Sequence, residues 1–149
     1  MSRILAIDIE STGLDFEKNR IIELGYALYD TTHKTVVGVG NPLIFDNSIA
    51  DEMDKPEIAE MCKRVSGLTL EVLQKYGSPF RDAYDSFFEV GLKCDYLLGH
   101  NLKAFDAPFL KAEAKKFGLD FLPEIPWIDT KVDIDYPEAF TSKRLNHLL

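Results

Sequence analysis

The segment Ile4-Leu5-Ala6-Ile7-Asp8-Ile9 constrains this chain more than any other. A near-continuous apolar run of this length suits a central strand covered on both faces rather than one lying half in water. It is too short for a membrane span and it contains Asp8, so neither a span nor a signal peptide fits the start of the chain. The expectation is a soluble, cytoplasmic protein with no membrane partner.

The end of the same run carries two carboxylates. Asp8 and Glu10 are two apart, so on a strand their side chains leave one face, roughly 6–7 Å apart at the backbone. Two such groups at the rim of an apolar core repel each other and lose hydration, which raises a pKa unless a cation lies between them. Oxygen donors of this kind suit Mg²⁺ or Mn²⁺. The same alternation also marks a strand that simply leaves the core.

Further along, Ile21 to Tyr29 and Val36 to Phe45 read as strands joined by the polar connection Asp30-Thr31-Thr32-His33-Lys34. With the first run they predict a three-stranded antiparallel meander. From Ala50 to Gly91 the period turns helical, with Leu68, Val72 and Leu73 on one face and Phe80, Tyr84, Phe87 and Phe88 on another. Ser78 is the expected N-cap of the second of these helices, with Pro79 at its first position, and Thr69 that of the first. Tyr96-Leu97-Leu98 reads as a buried strand, Ala107 to Phe117 as a helix ending at Gly118, and Trp127-Ile128 as a last short strand. Ser142 to Leu149 starts a further helix. Strands first, then helices alternating with strands, predict one α/β domain over residues 1–149 with a mixed sheet.

A net charge of −8 argues against a protein that grips long nucleic acid through many phosphates. It leaves room for an enzyme holding a few nucleotides at a strand end, since metal-binding carboxylates add to the negative total. Cys62 and Cys94 form no Cys-x-x-Cys pair, so they read as reduced core residues rather than a disulfide or zinc site.

The string Asp8-Ile9-Glu10-Ser11-Thr12-Gly13-Leu14-Asp15, followed by Arg20-Ile21-Ile22-Glu23, resembles the first motif of the DnaQ-like (DEDD) 3′→5′ exonucleases. Gly99-His100-Asn101 with Phe105-Asp106 resembles their second, in the longer spacing found in the exonuclease I and oligoribonuclease branches. Ser66-Gly67-Leu68-Thr69, with Glu71 and Leu73, resembles the turn and capped helix between them. Ile128-Asp129-Thr130, then Lys143-Arg144-Leu145-Asn146, resembles the approach to the third motif, which carries a histidine or tyrosine base and a last aspartate. The chain ends before it, so a C-terminally incomplete domain with weak or no activity is expected. His147 reads as a helix-surface residue, His33 as a hairpin residue, and His100 as one that orders the loop beside Asn101.

The resemblance implies a ribonuclease H-like fold: the antiparallel meander plus parallel strands, with flanking helices. It implies Asp8, Glu10 and Asp106 as catalytic residues and ligands of Mg²⁺ or Mn²⁺, two ions in a complete site. The backbone of Ser11, Thr12 and Gly13 would line the terminal nucleotide, Leu14 would act as an apolar wedge, and Asn101 and Phe105 would complete the substrate contacts. The implied partner is a single-stranded or frayed 3′ end of DNA or RNA, with a possible polymerase or replication partner. Two other readings compete: a non-catalytic module that binds nucleic acid or a protein partner, and a phosphatase of the haloacid dehalogenase type.

Overall fold

The computed structural model of the chain describes residues 2–136. Five strands form one sheet: β1 (Arg3–Ser11), β2 (Ile21–Asp30), β3 (Thr35–Gly40), β4 (Tyr96–Gly99) and β5 (Trp127–Asp129). Their order is β3-β2-β1-β4-β5. The first three pair antiparallel as the expected meander, whereas β4 and β5 run parallel to β1. This is the mixed-sheet α/β architecture read from the sequence. The site-bearing strand β1 lies at its centre, with partners on both sides.

Burial along β1 alternates. Leu5, Ile7 and Ile9 are buried, while Ile4 and Ala6 are half-buried and Asp8 is exposed. The expectation of a strand covered on both faces is thus corrected among the described residues. Ile4 and Ala6 are sheltered sideways by Tyr29, Ala27, Tyr96 and Leu98 in the neighbouring strands. Lateral shelter of this kind needs no helix above it.

The third strand stops at Gly40, not Phe45. Pro42 has no N–H to give to a ladder; beyond it only single bridges remain, Glu23 to Leu43 and Ile44 to Ser78. The region expected to form two helices contains four: α1 (Asn47–Met53), α2 (Pro56–Val65), α3 (Leu70–Tyr76) and α4 (Phe80–Gly91). Asp46 caps α1 by accepting from the Ile49 N–H, and Pro56 opens α2 at its first position. Thr69 caps α3 as expected. Ser78 does not cap α4: its N–H donates to the Leu43 carbonyl and its carbonyl accepts from the Phe45 N–H, in a bridge with Ile44, and the cap position falls to Pro79.

Residues Phe80, Ala83, Tyr84, Phe87 and Gly91 place a buried stripe along α4 at helical spacing. The stripe meets β2 where Tyr26 and Phe87 pack edge to face at 5.8 Å. The last helix, α5 (Ala107–Lys116), buries Phe109, Leu110, Glu113 and Ala114 and ends where Gly118 turns with φ of +67°. Phe117, just beyond it, stacks on Phe80 at 5.0 Å and so joins α5 to α4. Cys62 and Cys94 are free and buried. Among the described residues no helix is long and apolar enough to cross a membrane. The readings of Ser142 to Leu149 as a helix start and of His147 as a surface residue fall outside the described residues.

Candidate active site

The register between β1 and β2 shifts after Glu10, so that Glu10 faces Glu23 but Ser11 faces Ile21. Such a bulge bends and twists a strand locally, and here it turns the chain just past the two carboxylates. Asp8 and Glu10 leave the same, outer face of β1.

The third carboxylate arrives from β4. Gly99 ends that strand, and a Cβ there would lie 3.2 Å from the Ile7 carbonyl oxygen and from the Leu102 side chain, so glycine permits the close approach to β1. Asn101 then takes a left-handed conformation, φ of 61°. A π-helical turn, Leu102–Asp106, follows and leads directly into α5. This wide turn accommodates the five-position spacing from Asn101 to Asp106, and such turns concentrate at functional sites. Asp106 is buried, and its Oδ2 accepts a hydrogen bond of 3.2 Å from the Ile9 N–H, between Asp8 and Glu10 in sequence.

The electrostatics follow from this convergence. Burial, with the Asp8 and Glu23 charges added, pushes the Glu10 carboxyl up to about 7. Burial likewise pushes Asp106 up to about 7; the Ile9 N–H opposes that rise, while Asp8, Glu10 and Asp129 add to it. Desolvation raises Asp8 as well, although the residue keeps access to solvent. Three carboxylates that resist ionisation together are a donor set suited to a hard divalent cation, which would replace repulsion by attraction. By that chemistry a hard divalent cation such as Mg²⁺ or Mn²⁺ is the kind of ion that Asp8, Glu10 and Asp106 could take up. Their side chains are not drawn together around one point: among the described residues no three His, Cys, Asp or Glu side chains are arranged to hold a metal ion.

Beside Glu10 opens a cavity of about 230 Å³. It is lined by Ser11, Gly13 and Leu14, by Met61, Cys62, Val65 and Ser66 of α2 and its C-cap, and by Phe105. Leu14 stands 81% exposed at the rim. Phe105 packs against Phe16 and Phe109 while still facing the cavity. The structure therefore gathers Glu10, Ser11, Gly13, Leu14 and Phe105 around one space.

Thr12 and Asn101 are placed differently. The Thr12 side chain is 1% exposed and points inward, where its hydroxyl accepts from the Arg20 N–H at 2.9 Å and meets the Glu52 carboxylate. Asn101 gives its backbone N–H to Asp129, the buried residue that ends β5. Asp129 also accepts from the Lys103 and Lys131 N–H groups, which fixes the turn leading to Asp106. His100 hydrogen-bonds the Thr130 hydroxyl, in keeping with its expected ordering role.

Sequence reading quoted Asp129 only within the approach to a third motif and missed its hold on the turn before Asp106, as well as a second buried set around Arg20. The Arg20 Nε lies 3.1 Å from Glu113 on α5, and Nη1 donates to Asp46 at 2.9 Å. Nη2 lies 2.8 Å from the other Asp46 oxygen, a charge contact without hydrogen-bond geometry. Glu113, fully buried, also accepts from the Ile21 N–H at 2.7 Å. Burial works against the Arg20 charge, but its pairs with Asp46 and Glu113 outweigh that and hold its pKa above the usual value. The signal was present: Glu113 falls on the apolar face of α5 with Phe109, Leu110 and Ala114, and a charge there requires a partner.

This combination, an antiparallel meander extended by parallel strands with flanking helices, is the ribonuclease H-like fold. A family model, RNase_T, described as an exonuclease, matches residues 5–136. The chain belongs to that exonuclease family and is DnaQ-like. Among solved structures it is similar to the zinc-bound form of Escherichia coli exonuclease I with single-stranded DNA, at 17% identity and TM-score 0.77, covering 99% of this chain and 34% of that one. E. coli exonuclease I with a dT13 oligonucleotide gives 18% identity and TM-score 0.76, with 99% and 35% covered. An exonuclease I complex with SSB-Ct gives 16%, 0.72, 99% and 35%. The chain thus spans about a third of the length of these proteins. No curated protein sequence matches it.

Proposed function

We propose that this chain is a divalent-metal-dependent 3′→5′ exonuclease domain acting on single-stranded DNA ends. The observation that carries this reading is the convergence of Asp8, Glu10 and Asp106, with two of them raised to about 7, beside a cavity rimmed by an exposed leucine. Single-stranded DNA is favoured over RNA because exonuclease I with DNA oligonucleotides shares the fold. Divalent ions, when bound, supply an activated water and charge compensation at the leaving 3′ oxygen. The protein's own part is to hold the strand end. The backbone from Ser11 to Gly13 faces the terminal sugar and phosphate. Leu14 presses on the last base, and contacts of that kind tolerate any base.

The test is a 5′-labelled oligonucleotide incubated with Mn²⁺ beside a circular single strand. Slow stepwise shortening of the linear strand alone, lost in Asp8→Asn, is the expected result; cleavage of the circle defeats the reading. One observation favours a second reading, that of a binding module without catalysis. Asp129, the remaining acid near the cluster, is taken up by backbone N–H groups, so the described residues offer three ligands. Tight nucleotide binding with no shortening would select it. The family match leaves the phosphatase reading without support.

A further inference from the structure

Arg20 stands where three parts of the site meet. Through Glu113 it is tied to α5, the helix that begins at Asp106; Glu113 lies two turns further along that helix. Through Asp46 it is tied to the N-terminus of α1. Its own backbone holds Thr12 by a pair of bonds, Thr12 N–H to the Arg20 carbonyl and Arg20 N–H to the Thr12 hydroxyl, both 2.9 Å. The Thr12 hydroxyl in turn meets Glu52 near the C-terminus of α1. Asp46 and Glu52 thus pin α1 at both ends. Only Asp54 and Lys55 separate α1 from α2, which supplies Met61, Cys62 and Val65 to the cavity.

Stability alone does not account for a buried ion pair at such a junction, because well-packed apolar residues generally do as well or better. What a guanidinium does and an apolar group cannot is to fix two carboxylates on different helices at set distances and in one plane. We propose that Arg20 is a positioning residue for the nucleotide site, in which Glu113, Asp46 and Thr12 transmit one geometry. That geometry sets the gap between the carboxylates and the α2 wall, and with it the fit of a nucleotide 3′ end. The proposal rests on the reading of this cavity as a nucleotide site.

Asp46→Asn and Thr12→Val test it, since neither side chain lines the cavity. Asparagine keeps the helix cap while removing the charge that Arg20 grips, and valine keeps the shape of threonine without its hydroxyl. Titration of the 149-residue chain with thymidine 5′-monophosphate in Mn²⁺ should show affinity reduced about tenfold in either variant, equivalent to about 1.4 kcal/mol of lost fit. Affinity for Mn²⁺ alone should be unchanged, while Tm falls in both variants because a buried charge or hydroxyl contact loses its partner. Wild-type nucleotide affinity in both variants overturns the proposal, as does a lower Tm with nucleotide affinity intact, which marks a purely structural role. An equal loss of Mn²⁺ affinity also overturns it, by locating the effect at the carboxylates. If the unaltered chain binds no nucleotide, the site reading itself fails and takes this one with it.

Discussion

The Glu10 and Asp106 carboxyls are pushed up to about 7 in the metal-free chain because burial, with repulsion from neighbouring carboxylates, favours their protonated forms. The sign of the pH effect follows. A carboxyl whose pKa is raised in the folded state binds more protons there than in the unfolded chain, so its contribution is fully present at low pH and is lost as pH rises. For Glu10 that window runs from its ordinary 4.5 to about 7. Thermal melts in chelator should therefore fall across this range, and Asp8→Asn, which removes one repelling neighbour, should flatten the fall and leave metal-free stability equal or higher. Binding of Mn²⁺ near pH 6.5 should expel protons, seen as a calorimetric heat that depends on the ionisation enthalpy of the buffer. The carboxylate pair was legible in the sequence because its spacing of two on a strand fixes a shared face. Asp129 was not, because a buried acid that accepts backbone N–H groups has no spacing rule of its own.

Elements show where local rules held and where they yielded. The meander, β4 and α5 were legible because apolar period and flanking turn residues agreed. Two helices became four because Lys55-Pro56 and the turn at Gly67 break a pattern whose apolar positions alone look continuous. The cap expected at Ser78 lost to a tertiary contact, its bridge with Ile44, which no local signal announces. The junction of β4 with the π-helical turn carries a sharp expectation: Gly99→Ala places a methyl 3.2 Å from backbone on β1, where little can give. Overpacking of this kind should cost about 1–3 kcal/mol in chemical unfolding, and the strain should also displace Asp106 and weaken Mn²⁺ binding. At the rim, Leu14→Ala should impair digestion of paired ends more than of single strands, measured as the ratio of rates on the two substrates, because a wedge matters most where bases must be parted. Equal losses would remove Leu14 from that role without touching the rest of the site.

At the scale of the molecule, one core serves both the sheet and the site. Phe87 is fully buried between α4 and β2, far along the chain from the carboxylates. Its replacement by alanine should cost about 3–5 kcal/mol, read as a shift in denaturant midpoint, with Mn²⁺ affinity of the remaining folded fraction preserved. The fold class was visible in the sequence as a whole; Glu113 on the apolar face of α5 signalled that a partner was needed, but not that it was Arg20, 93 positions away, a pairing that exists only once α5 is packed on the sheet.

The hydrogen bond from the Ile9 amide to Asp106 gives the site a built-in label. A backbone proton held by a carboxylate shifts its nitrogen–proton resonance when that carboxylate gains a proton or a cation, and it exchanges faster with deuterated solvent when the bond loosens. One cross-peak in the middle of β1 can thus follow Asp106 through titration, metal loading and nucleotide entry, without any change to the chain.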